Sequence, residues 1–242
     1  MNRLLRAEWY RMTKTMRFWL MALILVLFGA VVPFINAPEN AGEYLIETGE
    51  DSSVLLILFI AMFAAVLTAM AFANRTVYYE VMSGKRPMQI LTSKCIVIGG
   101  TITGVMGLSF VAATVIFGNA KGYGDVDDVA VRLLLYIVVL FHASIMGILI
   151  VTTFRSGLGA VICYLRFMFV DTLISLVLEF KYEDSPSKYL KYTRWLLMSQ
   201  PMSIFGEKIS GELVYAILLS FLLETLLWGG LSYIFMKKRL YK

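Results

Sequence analysis

Three ionisable residues, Arg166, Asp171 and Glu224, stand inside long apolar runs. An unpaired charge near the centre of a bilayer costs about 2.5–3.5 kcal/mol on insertion scales, so such groups face protein or water and find partners. Two uses fit them. One is an ion pair clamping two spans together, Arg166 with Glu224 or with Asp171; the other is a polar lining of a path across the membrane. Asp171 leans toward Arg166, yet five residues is not a same-face spacing on an α-helix. One cation against two anions also leaves a carboxylate over, to be protonated, wet, or open to a cationic cargo. His142 is the only histidine; among Phe, Ala and Ser neighbours it is expected to be a hydrogen-bonded interior residue rather than a proton relay. Cys95 and Cys163 form no CxxC and no Cys/His cluster, so they read as small apolar packing residues, with no metal site and no disulfide framework. There is no HExxH, no aspartate pair in a GxGD setting and no Ser–His pairing, which leaves an intramembrane enzyme without a catalytic constellation. Nor is there a G-x-x-x-x-G-K-[ST] phosphate loop; Gly84-Lys85-Arg86 lacks the upstream glycine and the Ser/Thr.

The elements that must hold these residues follow from composition. Of 242 residues, 59% are hydrophobic and only 16% charged, and mean hydropathy is +0.76. A soluble domain carries about 25% charge, and a core this small could not hide so much apolar surface. The net charge of +5 therefore marks membrane faces rather than a nucleic-acid surface. A transmembrane helix needs about 20 apolar residues. Six stretches qualify: Phe18–Asn36, Ser53–Ala73, Cys95–Gly118, Val129–Val151, Leu158–Phe180 and Glu212–Met236. The first follows a long basic arm without a clear cleavage site and is expected to remain as a span.

Six spans put both termini on one side. That side carries Arg3, Arg6, Arg11, Lys14, Arg17, Arg75, Lys85, Arg86, Lys94, Arg155, Lys237, Lys238, Arg239 and Lys242, against Glu8 and Glu80 alone. The other side is acid-rich, with Glu39, Glu43, Glu47, Glu50 and Asp51 in a first loop without Lys or Arg. The positive-inside rule then places both termini in the cytoplasm of a multi-pass plasma-membrane protein. The acidic cluster from Glu43 to Asp51, with Asp125, Asp127 and Asp128, reads as solvated charge obeying the same rule, although it could draw cationic peptides or divalent ions.

On the cytoplasmic side two segments carry pattern. In residues 1–17, Leu5, Trp9, Met12 and Met16 share one helical stripe and Arg3, Arg6, Lys14 and Arg17 the opposite face, as in an interfacial helix that anchors the chain at the headgroups. Residues 74–94, between spans two and three, have a helical beginning, a break at Gly84, and Pro87 at the first position of a second short helix. Such a loop either docks a partner or is simply solvated. In span three, Gly100-x-x-x-Gly104 with Gly107 beyond it makes a small-residue face suited to close helix packing.

The amphipathic arm, the loop Glu80-x-x-x-Gly84-x-Arg86 ending at Lys94, and six spans in this length resemble the permease subunits of type 2 ATP-binding-cassette exporters, closest in style to those of bacterial peptide-exporter and lantibiotic-immunity systems. The resemblance implies an all-α polytopic fold with an N-terminal elbow helix (1–17), a six-span domain (18–242) and an outer-leaflet helical hairpin within 181–211, with Tyr189–Phe205 breaking at Pro201. It implies that loop 74–94 forms the coupling helix, with Tyr79, Glu80, Gly84, Lys85 and Arg86 against a separate nucleotide-binding subunit. ATP and Mg would sit on that partner chain, none on this one, and a second permease copy or a sister permease would complete the pore in the bacterial plasma membrane. The cargo would be amphipathic or hydrophobic, an antimicrobial or toxin-like peptide above all. The chain departs from the pattern between spans four and five, where Thr152–Gly157 leaves room only for a small second coupling contact around Arg155. A non-catalytic membrane scaffold or sensor accessory would expose similar docking helices and is the alternative reading.

Overall fold

Apolar runs rich in alanine, leucine and isoleucine, with Pro33 near the end of the first as their one internal proline, leave the backbone one economical way to satisfy its own polar groups in lipid, the α-helix. The computed structural model of the chain, described here for residues 2–35, 38–47, 53–124, 126–182 and 185–240, is all-helical over those residues. Its helices are α1 (Asn2–Lys14), α2 (Met16–Ile35), α3 (Ala41–Glu47), α4 (Ser53–Ala73), α5 (Thr76–Met82), α6 (Pro87–Lys94), α7 (Gly100–Lys121), α8 (Val129–Phe154), α9 (Gly157–Leu165), α10 (Thr172–Lys181), α11 (Pro186–Thr193), α12 (Gln200–Gly206) and α13 (Gly211–Leu240). Asn36, Glu50, Asp51, Asp125 and Lys242, which figure in the expected spans and charge clusters, lie outside the described residues.

Two of the joins are π-helical. Cys95–Gly99 fuses α6 to α7, and Arg166–Asp171 fuses α9 to α10. Among the described residues five apolar helices are then long enough to cross a membrane, Val54–Ala73, Pro87–Lys121, Val129–Phe154, Gly157–Lys181 and Gly211–Lys238, while the first expected span contributes only the shorter apolar stretch Met16–Leu27. The third expected span thus begins eight residues early. Lys94 is not a boundary, because α6 runs on without a break into a helix of 35 residues. At about 1.5 Å per residue that rod is roughly 50 Å long against about 30 Å of hydrocarbon, so its first turns project beyond the apolar layer or the helix tilts.

Helix α8 is the central strut, buried along most of its length and packed on α4, α9 and α13. Two glycines set its closest approaches. A Cβ on Gly147 would collide with the Ala61 carbonyl oxygen of α4, and one on Gly159 would lie 2.7 Å from the Val151 Cα. The α8–α9 hairpin is tight because Arg155 adopts φ 55° and ends α8. At the opposite end aromatic rings lock the short helices to the bundle. Tyr44 of α3 stacks on Phe117 at 5.1 Å, and Tyr136 of α8 lies 4.9 Å from Phe110 and 5.2 Å from Phe205 of α12.

Candidate functional site: two buried charge clusters

The first cluster forms where α1 crosses the joint between α5 and α6. The helical spacing of Leu4, Glu8 and Met12 makes these the buried face of α1, with a carboxylate in the middle of it. Lys94, at the end of α6, reaches the same point: its Nζ donates to Glu8 Oε1 at 2.5 Å, and both side chains are 1% exposed. Arg11, one turn along α1, also donates to Glu8 and to the Thr76 hydroxyl at 2.8 Å. Glu80 of α5 completes the group, its carboxylate 3.7 Å from Arg11 and 4.0 Å from Lys94. Two cations therefore balance two carboxylates drawn from three helices.

Burial pulls both carboxyl groups toward the neutral form. At Glu8 that effect is outweighed by Lys94 and then Arg11, which hold the carboxyl below the usual range. At Glu80 it wins. Burial, opposed by Lys94 and reinforced by the neighbouring Glu8 charge, pushes the Glu80 carboxyl up to about 7. Glu8 is the anion of the cluster near neutrality, and Glu80 the group that titrates.

The other residues of segment 74–94 divide around this knot. Tyr79 and Met82 face outward, at 68% and 82% exposure. Gly84 has φ +76°, a left-handed turn that favours glycine and reverses the chain between α5 and α6. Lys85 is half-buried and Arg86 is exposed at the start of α6, where its backbone N–H donates to Gln89 Oε1 at 3.2 Å. Glu80 thus points inward, away from the surface that Tyr79 and Met82 offer. Of the expected anchor stripe, Leu5 is half-buried, Met12 buried and Trp9 exposed on α1, while Met16 belongs to the next helix. The four do not form one continuous stripe, because α1 stops at Lys14 and Thr15 turns the chain, its hydroxyl donating to the Arg11 carbonyl at 2.9 Å.

The second cluster lies inside the apolar bundle. The Arg166–Asp171 stretch widens to a π-helix, which carries more residues per turn and brings positions five apart onto one face. Arg166 Nη1 donates to Asp171 Oδ1 at 2.7 Å. Its Nη2 reaches both oxygens of Glu224 on α13, at 2.9 and 3.0 Å. One guanidinium thus serves two carboxylates, a use suited to its planar array of five donors. His142 of α8 stands on the far side of Glu224, Nε2 to Oε2 3.6 Å, against the Phe221 ring at 5.1 Å. The expectation of a hydrogen-bonded histidine is not met. Neither ring nitrogen has a hydrogen-bond partner among the described residues, since Glu224 is turned toward Arg166.

A polar residue that sequence reasoning passed over is Arg132, at the start of α8 and 6% exposed. Its Nη1 donates to the Ile204 carbonyl and, at 3.2 Å, to that of Phe205, so it caps the end of α12. Gln200 of α12 donates to the Ser220 hydroxyl of α13 at 2.8 Å, and Arg194 pairs with Glu207. The position of Arg132 at the mouth of an apolar run was the only available signal, and it reads equally as a flank charge. Cys95 and Cys163 are free thiols, and no group of three or more His, Cys, Asp and Glu side chains stands in metal-binding range among the described residues. Comparison of the chain with protein-family models, with curated proteins and with solved structures gives no match.

Proposed function

We propose that the chain is the permease subunit of an ATP-binding-cassette exporter, half of an outward path for an amphipathic or hydrophobic peptide, with both termini in the cytoplasm of a bacterial plasma membrane and α2 as the first of six spans. In this reading α1 is the elbow at the inner leaflet, and α11 and α12 are the hairpin at the outer one. A separate ATPase subunit binds ATP and Mg, and a second copy or a sister permease supplies the other half-pore. The observation that carries the proposal is the joint at Glu8, Lys94, Glu80 and Arg11. Helix α5 meets this joint through Glu80, 3.7 Å from Arg11 of α1 and 4.0 Å from Lys94, and the sealed Glu8–Lys94 pair in turn fixes α1 to the base of a helix that continues unbroken through the apolar layer. A push on the outward face of α5 is therefore delivered to a span rather than absorbed by a loose loop. Tyr79 and Met82 are the side chains presented to the ATPase, Gly84 sets the turn, and Lys85 and Arg86 flank it.

The Arg166–Asp171–Glu224 cluster is, in the same reading, the polar point at which α13 and the α9–α10 helix are held across from α8. Its separation, when it occurs, exposes two carboxylates to a cationic cargo.

The test is a tagged full chain expressed together with the reading frames that flank it. The expected result is co-purification, with Tyr79→Ala/Met82→Ala lowering the recovered ATPase at least fivefold while the helical content of the chain is unchanged. A chain that is recovered without an ATPase subunit under all conditions, and that functions alone, would falsify the permease reading.

A further inference from the structure

On the flank between α6, α8 and the later half of α13 lies a cavity of about 840 Å³, within the roughly 300–1,000 Å³ typical of small-molecule sites. Its walls are apolar, Leu91, Leu149 and Leu226 among them. Gly229 opens the α13 side, where an added Cβ would meet nothing within 4 Å. Two polar features break this lining. Arg86 stands at one end, at the start of α6, exposed and without an ion pair among the described residues. Deeper in the wall the Thr225 hydroxyl is buried and makes no hydrogen bond among the described residues. Helical threonines commonly bond the carbonyl one turn back, as Thr152 and Thr153 do, so an idle buried hydroxyl marks a place where a partner is missing.

We propose that this cavity binds one anionic phospholipid, its phosphate against Arg86 and its acyl chain along Leu91, Leu149 and Leu226. The charge at the rim selects the headgroup. The oily slot takes the tail, and Thr225 supplies a donor to an oxygen of the bound molecule. A phospholipid fits better than a second copy of the chain, because the rim cation asks for an anion at the bundle's basic end, where anionic headgroups are abundant. The site includes no member of either charge cluster; it shares Arg86 with the turn that the exporter reading sets beside the ATPase, and lipid binding by the chain alone does not require that reading.

The experiment uses the full chain in non-ionic detergent, with no ATPase present, titrated with dioleoyl-phosphatidylglycerol or dioleoyl-phosphatidylcholine and read by native mass spectrometry. The expected result is one retained phosphatidylglycerol, bound at least fivefold more tightly than phosphatidylcholine. Arg86→Gln brings the ratio close to one and Arg86→Lys restores most of it; Arg86 is exposed, so neither change disturbs packing. Gly229→Leu fills the slot and lowers binding of both lipids at least fivefold. Undiminished preference in Arg86→Gln, or wild-type binding in a helical Gly229→Leu, would overturn the proposal. A dimer that Gly229→Leu converts to monomer without altering lipid binding would also overturn it, by showing that a second copy fills the cavity.

Discussion

Lys94 and Glu8 lie 86 positions apart in the chain, yet meet at 2.5 Å with both side chains sealed from solvent. Taking charges out of water is costly, and a buried pair repays that cost only while both members remain. Glu8→Gln, which leaves Lys94 with the weaker and more distant Glu80, is expected to destabilise the protein by about 3–5 kcal/mol. The double variant Glu8→Gln/Lys94→Met is expected to recover at least half of that loss. Thermal melting of the purified chain checks both; equal damage in single and double variants removes the pairing from the explanation.

The same cluster gives a pH dependence whose sign can be worked out. The Glu80 carboxyl is raised by burial to about 7 in the folded chain, above its ordinary value of 4.5. The folded state then holds a proton that the unfolded state has lost, so this group's contribution is full below about 4.5 and falls as pH rises toward 7. Glu8, held low by Lys94 and Arg11, contributes in the opposite sense, and its share is lost only as pH drops below 4.5. Between pH 5 and 7 the wild type is therefore expected to lose melting temperature relative to Glu80→Gln. A difference between the two curves that stays flat across that interval contradicts the raised Glu80.

The π-helical turn supports a third prediction. A π-turn is one residue too many in an α-helix, so deleting an exposed member restores regular geometry and keeps the flanking faces in register. Deletion of Phe169, which is exposed, leaves Arg166 and Asp171 four apart, still on one side. The expected cost is within about 1 kcal/mol, whereas deleting Leu176 from the regular helix rotates everything beyond it by about 100°. Similar melting losses for the two deletions would argue against the π-turn. A cycle on Arg166→Gln and Glu224→Gln is expected to show a coupling of at least about 1 kcal/mol.

Much of this layout is legible in the sequence, because 20-residue apolar runs leave the backbone few alternatives. The charged sites are legible only in part. Arg166, Asp171 and Glu224 announce themselves as misplaced charges, but a 3.6-residue ruler puts Arg166 and Asp171 on different faces, and only a local change of helical period brings them together. Glu8 looks like a lone acid on a basic arm. Nothing in its neighbourhood indicates Lys94, since pairs so distant in sequence are fixed by tertiary packing. Lys94 itself imitates the end of a loop, although a buried partner lets a cation sit within a continuous helix.

Glycines that look alike in sequence separate sharply by environment. Gly147→Ala drives a methyl into the Ala61 carbonyl, and is expected to cost at least about 1–3 kcal/mol through forced separation of α4 and α8. Gly104→Ala, on the small-residue face of α7, meets nothing within 4 Å and is expected to stabilise by about 0.5–1 kcal/mol through helix propensity. Melting curves of the two variants should move in opposite directions.

The unbroken run from Pro87 to Lys121 has a mechanical corollary. A rod that long is gripped at one end by Glu8 and at the other by the hydrogen bond from Lys121 to the Pro38 carbonyl. Displacement at its basic tip is therefore expected at the opposite rim as tilt, and distances between labels at the two ends check whether it moves as one body.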